Sequence, residues 1–363
     1  MDTGLKQSSK SAQTGNDPLL QNPRGEETDS FLQQWQNRFS FKQHPLEYII
    51  LGISLLVILI FAVMIDGFFT WGNLSIIARN ATALTILGCG MAVVIISRGL
   101  DLSQISVMVA VSAVFGLLLT AGADYMIALL AAFLLAIVLG ALNGWLIAYI
   151  EIPALMSTLA TAMLIAGFCR WGFLQGEFLV LIPKELPEVI FFSTGKLSVF
   201  PVSVIIGIVV LIATYVLLSQ TVLGRMVYAM GDNYISARLT GLSVRTATVF
   251  IYIFSAITAC IAGIIVSSGS GTVDFRIVTN GTLLFEVIMV VVLGGIRLRG
   301  GRGGVFNLLI GVILISVLHN GMTLMNLSGQ VQNLVKGLIL ISAIVIDNYI
   351  NPRDAETDTQ GDL

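Results

Sequence analysis

The sequence predicts an all-α integral membrane protein of about ten transmembrane helices, and three observations carry that prediction. Only 11% of the 363 residues are charged while 56% are apolar, against about a quarter and about half in a soluble domain. A water-facing surface needs charge, and at a mean hydropathy of +0.92 this chain has too little of it. The apolar residues are gathered into runs close to the roughly 20 residues needed to cross a hydrocarbon core. Lys and Arg are also divided unevenly between the segments that join those runs.

The first 45 residues are polar, with Lys6, Lys10, Arg24, Glu26, Glu27, Arg38 and Lys42, and are predicted to be a disordered tail. No cleavable signal sequence is expected in them, and the first apolar run, Tyr48–Ile65, is expected to be its own membrane anchor. Spans are expected near 48–65, 81–97, 105–122, 125–149, 152–173, 200–219, 247–268, 284–296, 306–326 and 332–347. The domain order is therefore a tail over 1–45, a membrane domain over 46–347 and a polar C-terminal tail over 348–363. The span at 284–296 is short and runs into a glycine-rich stretch. A broken helix there is tolerated only where it lines protein or water.

With the N-terminal tail inside and ten crossings, Arg98, Arg225, Arg238, Arg245, Arg297, Arg299, Arg302, Arg353 and the five basic residues of the tail fall inside. Arg79, Arg170, Lys184, Lys196, Arg276 and Lys336 fall outside. Thirteen of the 19 basic residues on one side predict that both termini are cytoplasmic. A net charge of −2 argues against a nucleic-acid partner, which needs a basic stripe. Cys89, Cys169 and Cys260 lie in apolar runs and read as small hydrophobes. With only His44 and His319 as histidines, and no evident partner for His319, no metal site or cofactor is expected.

Two connections exceed a turn. Residues 174–199 fall outside and 220–246 inside. In the inner one Asp232 or Asn233 can cap a short helix, Tyr234–Thr240 spans about two turns, and Gly241 can end it in a left-handed conformation. Such a capped helix with Arg238 projecting is either a rigid docking knob or a solvated interfacial loop. Gly140 and Gly144, Gly294-Gly295, and Gly300-Gly301-Arg302-Gly303-Gly304 read as sites of close helix approach. The last run is not a phosphate cradle, since no GK[ST] follows it and no strand precedes it. SRGLDL and GGIRLR are faintly alike.

The run GRMVYAMGDNYISARLTGLSV, Gly224 to Val244, resembles the cytoplasmic loop of the ribose/xylose/galactose-type permeases of bacterial ABC importers. Further likenesses follow in family order: SRGLDLS at Ser97–Ser103, LNGWLIAYIEIPALMSTLAT at Leu142–Thr161, SAITACIAGIIVS at Ser255–Ser267, Glu286 with VVLGGIRLRGGRGGVF, HNGMTLMNLS at His319–Ser328, and the closing helix Val335–Asp347. Together they cover roughly 45–347. The chain departs from the pattern at Arg98, which replaces the first glycine of a GGIDLS signature, at Gln104-Ile105-Ser106, at Glu151, where a basic residue is common, and at Val287–Val292.

The resemblance implies a permease subunit of a binding-protein-dependent importer, in the bacterial inner membrane, for a monosaccharide or similar polyhydroxy solute. It further implies a cytoplasmic ABC ATPase docked on Gly224, Arg225, Gly231, Asp232, Asn233, Ala237, Arg238 and Gly241, a periplasmic solute-binding protein, and a second permease copy or paralogue. No Walker motif, GxSxG or HExxH occurs in the chain, so ATPase activity is expected on a separate subunit and the chain itself is not an enzyme. Asp101, Asn143, Glu286 and Asn320 are the candidates for lining the translocation path or packing helices around it. For Asp101 the competing reading is a helix-end carboxylate paired with Arg98. The alternatives are a branched-chain amino acid ABC permease and an ion-coupled secondary transporter, which would use acids and histidine in mid-helix.

Overall fold

The computed structural model describes residues 45–173, 176–197 and 200–350; the N-terminal tail lies outside them but for Pro45. The chain runs α1 (Pro45–Met64), α2 (Trp71–Ile96), α3 (Gln104–Thr120), α4 (Tyr125–Ala148) and α5 (Ala154–Phe168), which continues as a π turn over Cys169–Phe173. It goes on through β1 (Leu179–Leu181), α6 (Pro187–Thr194), β2 (Lys196–Leu197), β3 (Phe200–Pro201) and α7 (Val202–Gln220). Then come α8 (Val222–Asp232), α9 (Tyr234–Leu239), α10 (Val244–Ser270), β4 (Thr272–Asp274), α11 (Arg276–Asn280), α12 (Thr282–Leu293), α13 (Val305–Leu324) and α14 (Gly329–Ile350). Among the described residues six helices (α2, α4, α5 with its π turn, α7, α10 and α13) are long and apolar enough to cross a membrane. Four shorter apolar helices, in α1, α3, α12 and α14, accompany them.

Helix α2 forms the centre. Every residue from Leu84 to Ile96 is buried, as a helix apolar on all faces requires, and α7, α8, α10, α12 and α13 pack around it. Helix α4 buries instead a narrow stripe of small residues four apart: Ala128, Ala132, Ala136, Gly140, Gly144 and Ala148. That stripe lets α10 approach so closely that a Cβ on Gly140 would lie 2.7 Å from the Tyr252 carbonyl oxygen. Its other faces expose Leu130, Leu134 and Val138, which suits lipid or a second membrane subunit, since tails are as apolar as leucine.

Several boundaries differ from the hydropathy pattern. Helix α2 begins at Trp71, capped by Thr70, rather than near 81. Its first turns are polar, but Asn73 is buried against α13 and so joins the helix at little cost. Helix α14 continues to Ile350, past the expected boundary at 347. The segment 222–232, read as part of the inner connection 220–246, is a helix that buries Gly224, Val227, Met230 and Gly231 on one face. Neither glycine has room for a Cβ: Gly224 meets the Leu217 and Leu218 carbonyls, and Gly231 meets the Ile96 carbonyl and the Gly301 amide.

The connections gather at two ends. One, the arginine-rich end, holds 97–103, 149–153, 221–243 and 294–304, joined by bonds such as Arg98 to Arg299 and Arg245 to Glu151. The other, the sheet end, is closed by β1, which pairs antiparallel with β4 from Leu179↔Asp274 to Leu181↔Thr272.

Candidate functional site

At the arginine-rich end, Thr221 caps α8, its Oγ1 accepting the Gly224 N–H at 3.1 Å, and Asp232 is the last residue of that helix. Asn233, not Asp232, caps α9, its Oδ1 accepting the Ser236 N–H at 2.9 Å. Ala237 is buried beneath α9. Gly241 closes it at φ +83°, with the Leu242 N–H donating to the Ala237 carbonyl. Outward, α9 presents Ile235, Arg238 and Leu239, the last 82% exposed, and Arg225 lies exposed on α8.

Glu151, singled out above as a departure, has its partners here. It sits in the turn between α4 and α5 at φ +62°. Its carboxylate accepts from Arg245 at 2.9 Å and lies 3.7 Å from Arg238. All three side chains are about half exposed, so the pairs contribute little stability, of order 0–1 kcal/mol. They fix where α9 stands relative to the α4–α5 turn.

Asp101 lies below this surface, 2% exposed, and the pairing with Arg98 of the competing reading is not what holds it. Its Oδ1 accepts from the Ser103 N–H at 3.0 Å and hydroxyl at 2.6 Å, and its Oδ2 from the Ser255 hydroxyl at 2.7 Å. The Arg98 guanidinium donates instead to the Arg299 carbonyl at 2.8 Å. Asn143 extends the network, donating to Ser103 Oγ at 2.7 Å and accepting from Thr161 Oγ1 at 2.6 Å. One web thus ties the α2–α3 break to α4, α5 and α10. Satisfied throughout, it makes a buried acid tolerable in an apolar surround. Gln104, also a departure, is buried and donates to the Leu87 carbonyl of α2 at 2.9 Å.

Asn320 and Glu286 lie towards the sheet end. Asn320 and Asn73 exchange two amide hydrogen bonds, at 2.8 and 3.0 Å, joining α13 to α2. Glu286 of α12 pairs with Lys336 of α14. Lys336 was counted with the outer basic residues although it falls in the span expected at 332–347; it lies inside α14, and its side chain is 8% exposed against 19% for Glu286. His319, for which the sequence offered no partner, has Nδ1 3.4 Å from the same ammonium. At the sheet end itself the Arg276 guanidinium, hydrogen-bonded to Asp274, holds that carboxyl below the usual carboxylate range.

The structure therefore brings Asp101 and Asn143 together, places Arg238 beside Glu151, and keeps Glu286 and Asn320 in two separate helix contacts. Sequence reasoning missed Asn73, Ser103, Thr161, Ser255 and Lys336. Only their polarity inside apolar runs marked them. No group of three or more His, Cys, Asp and Glu able to hold a metal occurs among the described residues.

The described residues thus form a helical membrane protein with a hydrogen-bonded polar web at depth and a structured loop surface at one end. Residues 73–344 match the family described as branched-chain amino acid transport system / permease component, and the chain belongs to that family. It is similar to the autoinducer 2 import system permease protein LsrC of Yersinia pseudotuberculosis serotype O:3, 31% identical over 270 residues, 73% of this chain and 75% of that one. The protein of the same name from Photorhabdus luminescens is 28% identical over 252 residues, 69% of this chain and 74% of its own. No solved structure matches. The chain is thus a multi-pass permease of the bacterial inner membrane.

Proposed function

We propose that the chain is the transmembrane subunit of a binding-protein-dependent ABC importer that carries a monosaccharide or similar polyhydroxy solute into the cytoplasm. The observation that carries the energy-coupling part is α9. It is a short helix capped at both ends, braced by Glu151, and it presents Arg238 and two apolar side chains to water. Exposed apolar groups on a rigid aqueous knob mark a partner surface, and the partner proposed is the ATPase. The sheet end then faces the solute-binding protein, and a second permease copy or paralogue completes the membrane unit. The resemblance to ribose/xylose/galactose-type permeases, and relatives named for autoinducer 2 rather than for an amino acid, support a sugar-like solute over the branched-chain amino acid alternative. The test is a thermal-shift panel of pentoses, hexoses, polyols and amino acids on the cognate binding protein. A polyhydroxy ligand is expected to raise the midpoint, and a response to leucine-like amino acids alone would move the chain to the competing substrate class.

Ten crossings with both termini cytoplasmic is the topology proposed, the ten apolar helices and the Lys/Arg imbalance being its support. Single cysteines introduced at Thr14, Glu188 and Asp358 report on it, since the native Cys89, Cys169 and Cys260 are buried. In intact cells only the Glu188 position is expected to react with an impermeant maleimide. Reaction at Thr14 or Asp358 overturns the topology.

A further inference from the structure

The two segments that looked faintly alike in sequence end their helices in the same way. After α2, the Arg98 N–H donates to Ile95 at 3.0 Å and the Gly99 N–H to Val94 at 2.9 Å. After α12, the Gly295 N–H donates to Val292 at 2.9 Å and the Ile296 N–H to Val291 at 3.2 Å. Both are Schellman closures, whose first residue beyond the cap is left-handed and favours glycine. Gly295 meets that demand at φ +92°, while Arg98 occupies the same position at φ +69°, a conformation unfavourable for any residue with a Cβ. An outlier held in place points to a task for the side chain.

That side chain joins the two breaks. Its Nε donates to the Arg299 carbonyl at 2.8 Å, and its stem lies against Gly300, where a Cβ would sit 2.7 Å from Arg98 Cγ. Beside it, the Gly301 N–H donates to the Ile96 carbonyl at 2.8 Å, so the second break caps the first helix. Helix α8 rests on this junction. Gly231 touches both Ile96 and Gly301, and the Tyr228 hydroxyl donates to the Gly303 carbonyl at 2.8 Å. Just inward, the Leu100 carbonyl accepts from Thr158 of α5 at 3.1 Å, and Asp101 begins the web into α4 and α10.

Resting on the docking role given above to α9, we propose that Arg98 is a positioning residue of the transport cycle. It clips the α2–α3 and α12–α13 breaks together beneath α8. Movement of the docking segment then reaches both halves of the membrane domain at once instead of being spent on one of them.

Arg98→Gly tests this without threatening the fold, because glycine suits that backbone better than arginine. In the purified permease without ATPase, amide exchange in the 297–304 peptide is expected to rise roughly two- to tenfold, the worth of one hydrogen bond. Reconstituted with its ATPase and binding protein, the variant is expected to hydrolyse ATP under stimulation at near the parent rate. Solute imported per ATP falls several-fold, and Arg98→Lys, which keeps stem and charge, lies between. A merely structural role would lower inserted protein, hydrolysis and uptake in proportion and leave that ratio alone. Unchanged exchange in Arg98→Gly overturns the clip, whatever the ATPase does. Raised exchange with an unchanged ratio overturns its role in coupling. Hydrolysis indifferent to Arg238→Glu overturns the docking role and the coupling half of the proposal with it, while the exchange result still reports on the clip.

Discussion

Replacing Lys336 with methionine is expected to destabilise the protein far more than replacing Lys336 and Glu286 together. The two side chains are 8% and 19% exposed and pair across α12 and α14, with His319 beside them. Removing one partner of a buried ion pair leaves the other charge uncompensated, at a cost of about 3–5 kcal/mol. Removing both leaves no charge to solvate, and such double replacements by groups of similar volume are often close to neutral. Lys336→Met and Glu286→Gln alone are therefore expected to lower the melting midpoint in detergent by roughly 6–10 °C at about 2 °C per kcal/mol, and the double variant by much less. Single variants that melt with the parent would show that water solvates these charges and that α12 and α14 do not need the pair. Uptake by Glu286→Gln is also expected to stay independent of the proton gradient. Collapse of transport by an uncoupler, with ATP held constant, would favour the ion-coupled alternative and give His319 a different meaning.

The second large effect concerns energy input. Arg238→Glu puts a carboxylate where Glu151 already stands 3.7 Å from the native guanidinium, and inverts the charge that α9 offers to a partner. Gly241→Val acts differently. No atom lies within 4 Å of where a Cβ would be, so its cost is conformational, a β-branched residue forced to φ +83°. That cost of about 1–2 kcal/mol exceeds what a two-turn helix can absorb without losing its closing turn. Both variants are expected to insert and accumulate like the parent, because neither residue is in a transmembrane span. In liposomes with the partner ATPase, binding-protein-stimulated hydrolysis and uptake should fall together towards background. Charge changes at Lys184 and Glu188, exposed at the sheet end, should weaken stimulation by the binding protein and spare basal hydrolysis. Wild-type transport by both α9 variants would remove the docking assignment.

The short helix after Asn233 was legible because its determinants are local. A side-chain cap, two turns and a glycine able to go left-handed lie within nine residues. The small-residue stripe of α4 was legible in part for the same reason: Gly140 and Gly144 are one turn apart, and the alanines simply continue their row. Helix α8 was not legible. Two glycines argue against a helix until it is known that Leu217 and Leu218 crowd one and Ile96 and Gly301 the other. The polar partners were hidden more deeply. Glu286 meets a lysine 50 residues on, Asp101 a serine 154 residues on, and Asn73 an asparagine 247 residues on. In each case the sequence marked one polar residue in an apolar run without saying what would satisfy it.

By itself the sequence determined that the chain is helical and built for a membrane, because hydrocarbon excludes charge and unpaired backbone wherever a segment passes through it. It also placed the short helix after Asn233, whose caps are chosen by neighbours in the chain. Tertiary structure decided which polar groups share a buried bond and which charges cancel. It decided as well that two helix breaks some 200 residues apart, joined by the Arg98–Arg299 hydrogen bond, meet under one helix. Those pairings depend on which helix faces come together, and that is set by the packing of α2 against all its neighbours rather than by any one segment.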